Sequence, residues 1–357
     1  MRFIFKTDYN QDIRLFQHGG QVFWYALLGV VLIAAPYLVS GYVLSQLQFI
    51  CIYSIVGLGL MLLTGYTGQI SLGHAAFLAV GAYTEALLQA AGIPFIVSLT
   101  SAALLSAAVG IIVGLPALRL KGIYLAIATF AFNVIVEEII TRWESLTGGS
   151  SGKSLKAIEV FGFRLSSPES FYYLCLALTV LAVLALINLL RSPTGRAFVA
   201  IRDSEVSASC MGINLAYYKT MSFALSAALT GIGGALYAHK VGFISPEQFT
   251  LIQSIELVTI VIIGGVGSLH GAVLGAAFII MLPQAISIAK GWLPESVPTT
   301  GLQSVVFGLI LITFIVFEPY GLYGRWLKIR TYFDVFPFYR RGTFRRQRSY
   351  LRSERLR

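Results

Sequence analysis

Apolar residues run along this chain in blocks of up to about 20, the helix length that crosses a hydrocarbon core about 30 Å thick. The blocks fall at 22–40, 43–63, 74–91, 95–118, 123–141, 171–190, 220–239, 253–263, 272–289 and 304–317, separated by short polar breaks. Backbone in lipid must satisfy its own hydrogen bonds, so each block reads as a helix. The pattern predicts an all-α, polytopic transmembrane helical bundle of eight to ten spans. The block at 253–263 is too short to cross alone and reads as half of a broken or re-entrant segment.

Composition agrees: 57 % hydrophobic residues, 12 % charged and a mean hydropathy of +0.78 exclude a water-soluble globule. Asp8, Gln11, Asp12 and Gln17 precede the first apolar block, so the N-terminus does not read as a cleavable signal. The net charge of +10 suggests nucleic acid until it is located. The stretch from Arg325 to Arg357 holds 11 Lys and Arg against Asp334 and Glu354, so nearly all the basicity is one tail. In so apolar a chain that tail reads as a contact with anionic headgroups, with no nucleic-acid partner. In a ten-span arrangement 20 Lys and Arg fall on one side and 6 on the other, which puts both termini in the cytoplasm. The chain then divides into a cytoplasmic segment 1–21, a membrane domain 22–324 with an inner loop 191–219 and an outer loop 142–170, and the basic cytoplasmic tail 325–357.

The breaks carry what chemistry there is. Thr147-Gly-Gly-Ser-Ser-Gly-Lys-Ser154 imitates a phosphate-cradling loop. Thr147 occupies its first glycine position, no strand pattern precedes it, and the charge count puts it outside, so it reads as a flexible outer loop. Gln69, Ser71 and His74 bring hydrogen-bonding groups to membrane depth, where lining a pathway and bonding between helices are both open. Gly264, Gly265, Gly267, Gly271 and Gly275 suggest close helix packing, the last three forming a ladder on one face. In the inner loop Glu205, Ala208, Ser209 and Gly212 fall at i, i+3, i+4 and i+7, one face of a short helix suited to docking on a soluble partner.

Glu137, Glu138 and Glu256 lie near block ends, within reach of water. Glu85 sits well inside a block with no evident cation to pair it, and proton coupling through it is open. Cys51, Cys175 and Cys210 give neither a disulfide framework nor a metal-ligand spacing. There is no nucleophile–base pair, metal cluster or paired catalytic carboxylate, so nothing points to an enzyme.

Four motifs together resemble the permeases of branched-chain amino-acid ABC importers, in particular the longer, LivM-type member of each permease pair. They are Thr64-Gly-Tyr-Thr-Gly-Gln-Ile-Ser-Leu-Gly-His-Ala-Ala-Phe77; Ser192-Pro-Thr-Gly-Arg-Ala-Phe198 with Arg202-Asp-Ser-Glu205 and Met211-Gly-Ile-Asn214; the Gly264–Gly275 run; and Phe317-Glu-Pro-Tyr-Gly-Leu-Tyr-Gly-Arg325. The resemblance implies that a periplasmic binding protein delivers substrate to a pathway between two permeases, driven by two cytoplasmic ATPases. It implies that Arg202, Asp203, Glu205, Ala208, Ser209 and Gly212 couple the chain to the ATPase. It also implies that the chain needs no cofactor of its own, ATP being bound by the partner subunits, and that its site is the bacterial inner membrane. Ser207 departs from the alanine usual in the coupling motif, and Lys153 with its neighbours is atypical of the outer loop. Permeases for urea, amides or other amino acids share these glycine motifs. A stand-alone secondary transporter or channel would instead require a matched pair of interrupted helices around midplane charges.

Overall fold

The computed structural model describes residues 19–120, 122–160, 163–165, 167–290, 302–317 and 321–335. The N-terminal segment up to residue 18 and the tail beyond residue 335 lie outside the described residues. The helices are α1 (Gly19–Leu38), α2 (Gly41–Leu60), α3 (His74–Ala90), α4 (Phe95–Ala117), α5 (Ile123–Arg142), α6 (Pro168–Arg191), α7 (Pro193–Asp203), α8 (Glu205–Cys210), α9 (Leu215–Val241), α10 (Leu251–Gly264), α11 (Leu269–Lys290), α12 (Leu302–Phe317) and α13 (Gly321–Val335). Seven helical stretches among the described residues are long and apolar enough to cross a membrane, and Val22–Leu38 is a shorter apolar one.

The bundle is built on α9 and α2. α9 packs along α2, α3 and α4, while α2 takes α6 and α11 on its other flank. Small residues set that closeness. A Cβ at Gly81 on α3 would fall 2.2 Å from the Gly231 carbonyl oxygen on α9, and one at Gly234 would fall 2.1 Å from Leu78 O. Only glycine lets these backbones touch. The outer helices are inverted relative to a soluble protein: Trp24, Leu104 and Ile112 are exposed, as a lipid-facing surface requires.

Two expectations change. A 3₁₀ turn at Pro246–Gln248 precedes α10, and the unit Pro246–Gly264 forms a 19-residue apolar span. It leads from β4 (Phe243–Ile244) at one end of the bundle to the Gly265–Gly267 turn at the other, so it is no half-segment. Pro246, Gln253 and Glu256 interrupt its apolar pattern and hid its length. The outer loop, expected to be flexible, is folded where described. β1 (Lys153–Ser154) pairs antiparallel with β4, and β2 (Ile158–Val160) with β3 (Phe163–Leu165). Thr147 Oγ1 donates to Ile140 O at 2.6 Å and accepts from Gly149 N. Gly152, at φ +66°, lies so near β4 that a Cβ would meet Ile244 O at 2.4 Å. The glycines of the phosphate-loop imitation are spent on this turn.

Candidate functional site

The segment between α6 and α9 is a compact, capped element. Ser192 caps α7, accepting from Gly195 N with Pro193 in the first turn; Ser204 caps α8, accepting from Ser207 N; Asn214 caps α9, accepting from Tyr217 N. α8 ends in a left-handed glycine: Gly212 has φ +80°, and Ile213 N donates back to Ala208 O at 3.0 Å. These bonds define the element before any partner touches it.

Three side chains join this element to the bundle. Lys219, assigned from sequence to the loop, lies inside α9, which begins earlier than the apolar pattern suggests. Its Nζ is buried and donates to Glu205 Oε1 at 2.7 Å. Phe198 is buried and meets Tyr218 edge-on. Arg202 bonds Asp203 through Nε and Nη2, and its Nη1 donates to Gly65 O at 3.1 Å. Gly65 lies in a π-helical turn, Met61–Tyr66, that continues α2. Its backbone abuts the α10–α11 turn so closely that a Cβ would fall 2.7 Å from Gly267 N. Arg202 thus meets the end of α2 where that end meets the α10–α11 turn.

The expected docking face needs correction. Glu205 and Ala208 point inward, one bonded to Lys219 and the other 2 % exposed, and α8 stops before Gly212. The spacing rule put all four residues on one face of a helix that lasts only six residues. The outward knobs are Val206 and Met211, 73 % and 83 % exposed, with Ser209 and Gly212 exposed beside them.

Gln69, Ser71 and His74 are fully enclosed. Gln69 Nε2 donates to Ser222 Oγ at 2.8 Å, His74 Nε2 lies 2.8 Å from Ser226 Oγ, and its Nδ1 lies 3.1 Å from Ser71 Oγ. Gln69 thus reaches α9 directly, and Ser71 is joined to α9 through His74, the first residue of α3. The glycine run also divides. Gly271 and Gly275 on α11 pack against the end of α10, a Cβ at Gly275 falling 2.0 Å from Ile260 O. A Cβ at Gly264 would fall 2.0 Å from Gly271 O. Gly265 and Gly267 have φ of +112° and +88° and precede α11, so Gly267 belongs to the turn and is no rung of a ladder.

Sequence reasoning missed one buried pair. Glu85 Oε1 on α3 lies 2.9 Å from His239 Nε2 on α9 and accepts from Ser98 Oγ on α4 at 2.8 Å. The residues are 154 positions apart, and only the alignment of α3 with α9 brings them together. Glu138 pairs with Arg142 at the exposed end of α5, while Glu256 is half-buried. Cys51 and Cys175 are buried free thiols, and no metal-ligand group occurs among the described residues.

An all-α polytopic bundle with seven apolar helices of membrane-crossing length among the described residues defines a multi-pass membrane protein. The chain belongs to the family described as branched-chain amino acid transport system / permease component, which matches residues 42–315. It is 32 % identical to the high-affinity branched-chain amino acid transport system permease protein LivM of Salmonella typhimurium, over 85 % of this chain and 74 % of that protein, and equally to LivM of Escherichia coli K12. LivH of Salmonella typhimurium is 25 % identical over 76 % of this chain and 91 % of its own length. No solved structure matches.

Proposed function

We propose that this chain is one permease of an ABC importer for branched-chain amino acids, paired with a second permease in the bacterial inner membrane. A periplasmic binding protein delivers substrate on one side, and two cytoplasmic ATPases dock on α7–α8 from the other. α1 to α6 and α9 to α12 make ten crossings with both termini cytoplasmic, a reading supported by the Lys and Arg asymmetry of the loops. The LivM and LivH relatives support the paired permeases and the substrate class.

The observation that carries the reading is the Arg202–Gly65 bond. Val206 and Met211 offer apolar knobs to a groove on the ATPase. Closure of the ATPases displaces α7–α8, and the displacement reaches α2 through Arg202 and α9 through Glu205–Lys219. The π turn at Met61–Tyr66 is a suitable receiver, because such bulges loosen the helical ladder. Nucleotide chemistry belongs to the ATPase; this chain converts its motion.

The test is affinity purification of the tagged protein from its native membrane, followed by reconstitution of the co-purifying chains. A second permease, ATPases and ATP-dependent leucine uptake are expected. Transport by the isolated chain, or transport without ATP, would replace the proposal with a secondary transporter or channel.

A further inference from the structure

Glu256 on α10 stands out as an intramembrane carboxylate with no hydrogen bond or ion pair reaching it among the described residues. It is half-buried, so its open side faces something other than this chain's core. Lipid is excluded on cost, since a bare carboxylate at membrane depth requires water or a cation. Its surroundings are aromatic. Gln253, one helical turn before Glu256 on α10, is tied to Tyr53, whose ring meets that of Tyr237 edge-on at 6.3 Å. Phe49 closes the third side, 6.5 Å from each ring centroid. Gln253 Nε2 donates to Tyr53 OH at 3.0 Å, which leaves the phenol proton free to donate.

The opposite charge stands on the same aromatic box. Lys240 lies one helical turn beyond Tyr237 on α9, with Nζ 5.2 Å from the Phe49 centroid. Ser45 Oγ and Gln48 Oε1 hold it at 2.8 and 2.5 Å, both neutral oxygens, and no acidic partner reaches it among the described residues. Among the described residues, the Glu256 carboxylate and the Lys240 ammonium thus each lack an opposite charge, with three aromatic rings on α2 and α9 beside them.

We propose that Phe49, Tyr53, Tyr237, Lys240 and Glu256 form a transit site for a zwitterionic apolar α-amino acid. Glu256 takes the α-ammonium, Lys240 takes the α-carboxylate, and the rings receive the aliphatic side chain. This deepens the transport reading and rests on it. It locates a recognition point in the membrane domain that discriminates by charge at the α-carbon and only weakly by side-chain shape, since flat rings accept any aliphatic group.

The experiment uses the complete importer in proteoliposomes and compares wild type with Glu256→Gln and Glu256→Asp. Loss of a charge-assisted bond predicts that leucine uptake falls about tenfold or more in Glu256→Gln. Glu256→Asp recovers part of it, and the second permease and the ATPases co-purify with both variants. Graded uptake at full assembly separates a substrate contact from a folding defect. Wild-type uptake by Glu256→Gln overturns the site. So does loss of the second permease from the purified complex, because Glu256 would then answer a cation on that subunit. If the wild-type importer moves no leucine, the transport reading fails first, and that failure is visible without any variant.

Discussion

Glu85 and His239 form a sealed polar contact between α3 and α9: Oε1 and Nε2 are 2.9 Å apart, and the side chains are 1 % and 2 % exposed. The Phe95 ring meets the imidazole edge-on at 5.5 Å, and Glu85 Oε2 has no partner among the described residues. Removing one member strands the other in a dry site, which costs about 3–5 kcal/mol, whereas apolar replacement of both is far milder. Glu85→Ala and His239→Ala should each lower the Tm of the detergent-purified protein sharply, and Glu85→Met/His239→Leu should recover most of the loss. Additive damage in the double variant would show that the contact is incidental.

Arg202 is predicted to transmit force. Arg202→Ala removes the charge-assisted bond to Gly65 O, worth about 1.5–3 kcal/mol. ATPase subunits should still co-purify, because Val206 and Met211 remain in place, but leucine uptake should drop with hydrolysis retained. Arg202→Lys should not restore it, since an ammonium cannot span Asp203 and Gly65 as the guanidinium fork does. Coupled uptake by Arg202→Ala would remove this link.

Glycine substitutions should differ in sign by position. Gly231→Ala places a methyl 2.3 Å from Ser106 Oγ and 2.8 Å from Ala102 O, an overpacking that costs about 1–3 kcal/mol. Gly29→Ala on α1 meets nothing within 4 Å and gains about 1 kcal/mol of helix propensity. Melting curves of the two proteins should therefore move in opposite directions, and a shared direction would contradict the packing assigned to α9.

The helices were legible because lipid imposes a length and a polarity on each crossing, and that constraint acts locally. α10 was the exception, since its turn at Pro246 and its polar Gln253 and Glu256 broke the one signal available. The coupling segment was legible in place but misread in orientation. Spacing says which residues share a helical face, and it says nothing about which face Lys219 and the end of α9 will cover. Glu85 was singled out as costly, but its partner lay 154 residues away, on a helix whose alignment is set by Gly81 and Gly231. The close approach of Gly81 to Gly231 carried no periodic signature, whereas the conspicuous Gly267–Gly271–Gly275 spacing proved partly a turn.

Gly212 offers the most direct test of docking. Its φ of +80° is a conformation that costs a side chain about 1–2 kcal/mol, yet nothing lies within 4 Å of a Cβ built there. Gly212→Trp therefore strains one turn modestly while projecting a large ring beside Met211, into the volume that a partner must enter. Membrane insertion and expression should survive, and both ATPase co-purification and leucine uptake should be lost. Gly212→Ala separates the two effects: it carries the same backbone strain with almost no bulk, so assembly should be retained with only a slight fall in Tm. Equal damage from alanine and tryptophan would assign the glycine to the cap of α8 alone, and normal uptake by the tryptophan variant would remove α8 from the docking surface.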